Sequence, residues 1–147
     1  MNDELSKKLF EAYPNLYGDR NKPHTQTLIC YGFECGDGWY EPINKLSAKL
    51  EAIVKDKPNV RASQVKEKYG GLRFYMTEFS AEIEKLITEA EDECSVTCET
   101  CGKPGELHTS GGWLQTLCDA CVVCENNKED RISQYIKYSE WTKIVSK

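Results

Sequence analysis

The sequence is poor in histidine, which limits the metal chemistry that it can perform. Only His24 and His108 occur among 147 residues. Metal-dependent nucleases built on zinc-finger folds need a histidine-rich second metal site with a general base, and neither histidine lies in such a motif. The chain also lacks a Walker loop, a Gly-x-Ser-x-Gly elbow and a clear Cys–His pair. These absences favour a binding protein over an enzyme.

Long apolar runs and excess positive charge are missing as well. No stretch approaches the ~18 apolar residues of a membrane span, and Met1–Phe10 is too charged for a signal peptide. We therefore expect a cytoplasmic protein, where thiols stay reduced and paired cysteines favour a metal over a disulfide. The formal net charge is −5. This charge argues against broad nucleic-acid binding, which depends on lysine and arginine neutralising phosphates.

Cysteine, by contrast, is abundant, and four of the eight cysteines form two CxxC pairs, Cys98–Cys101 and Cys118–Cys121. Four thiolates with this spacing can surround one Zn²⁺ as a tetrahedron. Between the pairs, Gly111-Gly112 separates two β-prone runs and predicts a hairpin. A helix is expected to begin at the second pair. This order resembles a treble-clef zinc finger, and four cysteines leave no open catalytic position at the metal for His108.

The remaining four cysteines are predicted to be buried apolar residues or free thiols. They are Cys30, Cys35, Cys94 and Cys124. Two alternatives stay open. Cys94 or Cys124 could replace one of the four ligands, or these cysteines could share a second metal with Cys30 and Cys35.

Hydrophobic periodicity predicts an α+β fold: a small antiparallel sheet with flanking helices and a fused treble-clef-like zinc finger with four cysteine ligands. Helices are expected over Asp3–Tyr13, from Pro42 to Asp56, after a cap at Ser80, and around Ile132–Ile136. Strands are expected at Leu28–Phe33, Val60–Lys68 and Leu72–Thr77. The predicted organisation is an α+β domain over 1–93, a zinc module over 94–128, and a C-terminal helix or tail over 129–147 that packs on the core.

Two segments are candidates for binding a ligand. The glycine-rich turn before Trp39 and Tyr40 could bring backbone N–H groups to an anion and offer a stacking face, or it could simply lead into a helix. The predicted hairpin carries cations beside aromatic rings, which can hold a phosphate and stack a base, although a solvated sheet face is the alternative. The predicted ligand-binding residues are Trp39, Tyr40, Lys66, Lys68, Tyr69, Arg73 and Tyr75.

Three sequence segments occur together: Gly32 to Trp39, Gln64 to Tyr75, and Gly111-Gly112-Trp113 between the two CxxC pairs. Through them, from about Tyr31 to Cys121, the chain resembles a family of small proteins from bacteriophages and bacterial genomes. The resemblance implies a phage accessory protein that works in the host cytoplasm. Many such products act on host defence or host machinery.

Three functions follow as hypotheses. The first is sequestration of a small phosphorylated ligand, such as a nucleotide signal of host immunity. The second is inhibition of a host protein with a basic surface by the acidic segment Ser80–Glu93, for which a solvated helix face is the alternative. The third is nucleic-acid binding by the segment Cys118–Lys128. It ranks last, because that segment has one lysine and two asparagines to read bases and also carries Asp119 and Glu125.

Overall fold

The computed structural model describes residues 1–147 and shows an α+β chain with two three-stranded sheets. The helices are α1 (Asp3–Ala12), α2 (Tyr40–Val54), α3 (Ala81–Ser95), α4 (Asp119–Asn126) and α5 (Tyr138–Val145). The strands are β1 (Phe33–Glu34), β2 (Ala62–Lys68), β3 (Gly71–Met76), β4 (Glu106–Ser110), β5 (Trp113–Leu117) and β6 (Ile136–Lys137).

The larger core lies under the β2–β3 hairpin, whose strands are antiparallel as predicted. Tyr69 and Gly70 both have positive φ angles, 55° and 78°, as a two-residue type I′ turn requires. Because strand side chains alternate, one row faces the core and the other faces away. The buried row includes Val65, Leu72, Phe74 and Met76. We call the opposite side the outer face, and it carries Gln64, Lys66, Lys68, Gly71, Arg73 and Tyr75.

The first sheet is mixed rather than purely antiparallel, which corrects the prediction for this part of the chain. The expected strand Leu28–Phe33 becomes a short 3₁₀ turn, Ile29–Tyr31, followed by β1. Gly32 separates them with φ +75°, which interrupts an extended run. β1 then pairs in parallel with β2. A parallel pair needs a long crossover between its strands, and α2 provides it.

The three larger helices cover the inner face of this sheet. Ser80 caps α3 as predicted, since its side chain accepts a hydrogen bond from the Ile83 N–H at 3.3 Å. Buried side chains from α1, α2 and α3 join the inner row of the sheet in one hydrophobic core. The outer face is therefore left on the side away from the helices.

The second sheet holds the cysteine pairs together and has the order β5-β4-β6. Gly111 and Gly112, with φ 57° and 90°, form the predicted turn between β4 and β5. The helix expected around Ile132–Ile136 is wrong. Ile136–Lys137 is instead an edge strand paired with β4, Ile132 is fully exposed, and the helix is α5. Tyr135 packs with Cys98 and Leu117 in a small second core.

A close backbone contact joins the two parts of the chain. The glycine turn, residues 36–39, lies against the first cysteine pair, and the Gly38 N–H donates to the Glu99 carbonyl oxygen at 2.7 Å. A Cβ at Gly38 would lie 2.1 Å from the Cys98 carbonyl oxygen, so this approach requires glycine. None of the helices combines the length and the apolar composition needed to cross a lipid bilayer.

Candidate functional site

The four predicted cysteines form one cluster. The thiol sulfurs of Cys98, Cys101, Cys118 and Cys121 all lie within 4.8 Å of one another, and those of Cys101 and Cys118 are 3.6 Å apart. Four sulfurs at the usual Zn–S length of 2.3 Å would be separated by about 3.8 Å along each tetrahedral edge. The cluster therefore has the ligands and the dimensions to hold one metal ion.

Backbone hydrogen bonds shape the first half of this cluster, the knuckle Cys98–Gly102. The Gly102 N–H donates to the Cys98 carbonyl oxygen at 2.9 Å, and the Cys98 N–H donates to the Lys103 carbonyl oxygen at 2.7 Å. Gly102 has φ +77°, the positive value predicted for this turn. These backbone bonds close the turn that carries both sulfurs.

The second half of the cluster lies at the start of α4, with Cys118 in the N-cap position. A hydrogen bond from the Cys121 backbone N–H lowers the pKa of the Cys118 thiol to about 7. A thiolate is the form that ligates a metal. Burial, by contrast, raises the pKa of the Cys121 thiol, so the helix start lowers the pKa of one of its two ligand thiols and not of the other.

The other four cysteines stay outside this cluster. Cys35 and Cys94 are buried in the larger core, and burial raises the pKa of the Cys35 thiol to about 12. The Cys30 thiol donates to the Thr27 carbonyl oxygen at 3.3 Å. Cys124 is exposed. None of them takes a ligand position in the cluster, and they do not gather into a second one.

Trp39 and Tyr40 do not lie with the other predicted ligand-binding residues. Trp39 is fully buried, and its indole N–H donates to the Thr97 carbonyl oxygen at 2.8 Å. It therefore offers no ring face to a ligand. Tyr40 lines a different cavity together with Asp37, Glu41 and Glu93, where carboxylates would repel a phosphate. The glycine turn brings two stretches of backbone together and is not a ligand loop.

The basic hairpin, by contrast, forms one wall of a cleft. This wall is lined by Lys66, Glu67, Lys68 and Tyr69, and the other by Trp113 and Leu114 at the tip of the β4–β5 hairpin. We call this space the hairpin cleft; its volume is about 260 Å³. Tyr69 is 71% exposed and Trp113 is 62% exposed, so both rings are accessible. Sequence reasoning missed Trp113 as a ligand-binding candidate, because only the fold brings it beside Tyr69.

The charged residues that line the hairpin cleft are two lysines and one carboxylate, that of Glu67. Lys66 and Lys68 make no ion pair. Glu67 lies between them in sequence and also lines the cleft, and its carboxylate accepts a hydrogen bond from the Gly70 N–H at 2.9 Å. The Lys68 ammonium lies 5.5 Å from the centre of the Tyr69 ring. Two free cations beside two exposed rings can bind an anion attached to a planar group.

Arg73 and Tyr75, the remaining predicted residues, lie on the outer face beyond the cleft. Arg73 pairs directly with Lys66 across the hairpin. Its guanidinium group lies beside Gly71, where an added Cβ would be 3.3 Å from Nη1. The nearest acid is Glu91, with a charged oxygen 4.0 Å from the same nitrogen. The structure thus brings five of the seven predicted residues to one side of the sheet.

The acidic helix α3 is partly neutralised within the molecule. Lys45 and Lys49 of α2 form ion pairs with Glu93 and Glu89, at 2.7 Å and 3.6 Å. Burial raises the pKa of the Glu91 carboxyl group even though Arg73 acts in the opposite direction. The helix therefore presents less free negative charge than its sequence indicates.

The polar residues of α4 and its surroundings are also occupied by contacts within the protein. The Asn126 amide group bonds to the backbone of Tyr135 in both directions, and Lys128 pairs with Glu125 at 2.8 Å. His108 is buried, and its Nδ1 lies 2.8 Å from the Glu106 carbonyl oxygen. Asp119 and the Glu106 carboxylate lie near it, and Lys137 forms an ion pair with Glu106. These contacts leave few groups free to read bases.

Comparison of the chain with protein-family models, with curated proteins and with solved structures finds no match. The cysteine cluster and the hairpin cleft are therefore the features from which a function can be inferred.

Proposed function

We propose that this protein binds a small phosphorylated, nucleotide-like ligand in the hairpin cleft and sequesters it. The observation that carries the proposal is that two lysines without an ion-pair partner, Lys66 and Lys68, line the same cleft as two exposed rings, those of Tyr69 and Trp113. The lysines suit a phosphate and the rings suit a base. The resemblance to phage accessory proteins adds that sequestration of such a ligand would counter a host defence signal.

In this proposal the cysteine cluster holds Zn²⁺, which has a structural role. An all-cysteine tetrahedron is typical of structural zinc, whereas a catalytic zinc keeps a position open for water or substrate. The order of knuckle, hairpin and helix supports a module of the treble-clef type. Because β5 supplies Trp113, the bound ion would also hold one wall of the cleft in place.

The proposal is tested by isothermal titration calorimetry of the zinc-loaded protein with a panel of linear and cyclic mononucleotides, including dTMP. At least one of them is expected to bind. Replacing both Lys66 and Lys68 by alanine should weaken that binding tenfold or more, since each lost charge-assisted hydrogen bond costs roughly 1.5–3 kcal/mol. Trp113→Ala should also weaken it, through lost stacking.

The matched control is Lys85→Ala, which removes an exposed lysine of α3 on the inner side of the sheet. This variant should bind as the unmodified protein does. The proposal is wrong if no mononucleotide gives heat, or if the double lysine variant binds as tightly as the Lys85→Ala control.

A further inference from the structure

The outer face continues from the hairpin cleft to a second cavity beside Tyr75. This second cavity has a volume of about 450 Å³ and is lined by His24, Gln26, Leu28 and Gln64 as well as Tyr75. We infer that the two cavities and the outer face between them bind one short segment of single-stranded nucleic acid. This inference rests on the proposed function and makes the ligand longer than a mononucleotide.

The cations of the outer face lie between the two cavities. Lys66 and Arg73 occupy opposite positions in the register, between the Gln64–Tyr75 pair and the Lys68–Gly71 pair. Successive outward rows are about 6.6 Å apart, so the face spans about 13 Å from Tyr75 to Lys68. A phosphate backbone laid along it would pass three positive side chains, Lys66, Lys68 and Arg73, of which Arg73 also lies 4.0 Å from the Glu91 carboxylate.

An exposed ring stands at each end of this row of cations. Tyr75 is 37% exposed at one end, and Tyr69 and Trp113 are accessible at the other. Stacking on aromatic rings is a sequence-tolerant way to hold unpaired bases. Bases in a duplex are already stacked on one another, so this arrangement favours a single strand.

The dimensions also favour a ligand of several nucleotides. The hairpin cleft and the second cavity, with volumes of about 260 Å³ and 450 Å³, lie at opposite ends of the outer face. A strand with bases stacked at about 3.4 Å spacing covers 13 Å in about four steps. A mononucleotide in the cleft cannot reach Tyr75.

The net charge of −5 belongs to the whole chain. Near the outer face and the hairpin cleft lie the carboxylates of Glu34, Glu67 and Glu91, and each of them is engaged by a group of the protein itself. The buried side chains of α3 pack on the inner side of the sheet. Glu91 of α3 nevertheless reaches a cation of the outer face, since its carboxylate lies 4.0 Å from the Arg73 guanidinium group. On the outer side, Glu34 lies opposite Lys66 in the β1–β2 pairing, and its carboxylate accepts a hydrogen bond from the Gln64 amide at 3.1 Å.

The test compares a labelled octathymidylate strand with dTMP, using fluorescence anisotropy for the strand and competition for dTMP. The strand is expected to bind at least tenfold more tightly than dTMP. With three cations contacting phosphates, the logarithm of its association constant should fall with the logarithm of the salt concentration with a slope of about −2.

Tyr75→Ala is the informative variant, because Tyr75 lies outside the hairpin cleft. It should weaken binding of the strand roughly fivefold or more and leave the affinity for dTMP unchanged. The control is Phe79→Ala, which removes another exposed ring that lines neither cavity and should change neither affinity.

The outcomes separate this inference from the proposed function. If dTMP binds but the strand binds no more tightly, or if Tyr75→Ala leaves strand affinity unchanged, this inference is wrong and the mononucleotide site stands. A blunt octamer duplex that binds as tightly as the strand also overturns it. If the strand binds as described while no mononucleotide does, the small-ligand proposal fails and this one is supported. If neither strand nor mononucleotide binds, both are wrong.

Discussion

Replacing Gly38 by alanine should separate the glycine turn from the knuckle. The added Cβ would lie 2.1 Å from the Cys98 carbonyl oxygen and 2.5 Å from the Gly102 nitrogen. Both are backbone atoms and cannot rotate away, so the two segments must move about 1 Å apart before the contact becomes acceptable. The substitution therefore tests whether the two parts of the chain stabilise each other.

The expected loss of stability follows from the hydrogen bonds that cross this contact. The Gly38 N–H donates to the Glu99 carbonyl oxygen at 2.7 Å, the Gly36 N–H to the Glu99 carboxylate at 2.9 Å, and the Trp39 indole to Thr97 at 2.8 Å. At about 1 kcal/mol each, their loss reduces the free energy of unfolding by about 3 kcal/mol. For a chain of this size that corresponds to a fall in Tm of roughly 6–12 °C.

The assay is thermal unfolding followed by circular dichroism, with metal content measured by a chromogenic chelator. Gly71→Ala is the control, because its new Cβ would meet nothing nearer than the mobile end of Arg73, at 3.3 Å. That variant should stay within about 1 kcal/mol of the unmodified protein. If Gly38→Ala melts at the same temperature as Gly71→Ala, the close approach is not a stabilising contact.

Two further predictions concern the metal module. Cys98→Ser should abolish binding of the single metal ion and unfold the module, since metal-binding energy is folding energy. The control is Cys124→Ser, at an exposed position outside the cluster, which should keep one ion per chain. Metal content is measured by elemental analysis, and metal retained in Cys98→Ser would refute the ligand assignment. Hydrogen bonding to Lys128, reinforced by Arg131, lowers the pKa of the Glu125 carboxyl group. A carboxyl group with a lowered pKa stabilises the fold at any pH above its ordinary pKa, and this stabilisation is lost as the pH falls through the lowered pKa. Glu125→Gln should therefore reduce the free energy of unfolding by about 1 kcal/mol, by the same amount at pH 8 and at pH 6. Denaturant titrations in which the difference vanishes by pH 6 would contradict this prediction.

Local patterns in the sequence predicted the elements whose cause is local. The two CxxC pairs, the Gly111-Gly112 turn and the Ser80 cap each depend on a few neighbouring residues, and the structure has all three features. The edge strand at Ile136–Lys137 was mistaken for helix because its only reason to be extended is pairing with β4, far away in the chain. Isolated spacing of apolar residues carries no information about such a partner.

The same distinction explains the error at Trp39. Glycines permit close approach of a ligand and close approach of another stretch of backbone equally well, and the sequence does not distinguish the two. The buried indole and its bond to Thr97 show that here the partner is backbone. Trp113 presents the opposite case. In the sequence, its position as the first strand residue after a hairpin turn gives no sign of a binding role. Only the packing of the two hairpins places it in the cleft.

The packing of the two hairpins also bears on what the metal does. The Thr116 hydroxyl donates to the Gly70 carbonyl oxygen at 2.7 Å, and a Cβ at Gly70 would lie 2.3 Å from the Leu107 side chain. These contacts fix the β4–β5 hairpin, which carries Trp113 at its tip, against the turn that carries Tyr69. A module that lost its metal would no longer hold the β4–β5 hairpin against this turn, because the cluster, the knuckle and β5 fold together. Ligand affinity should therefore depend on the metal even though every proposed ligand contact is made by a side chain outside the cysteine cluster.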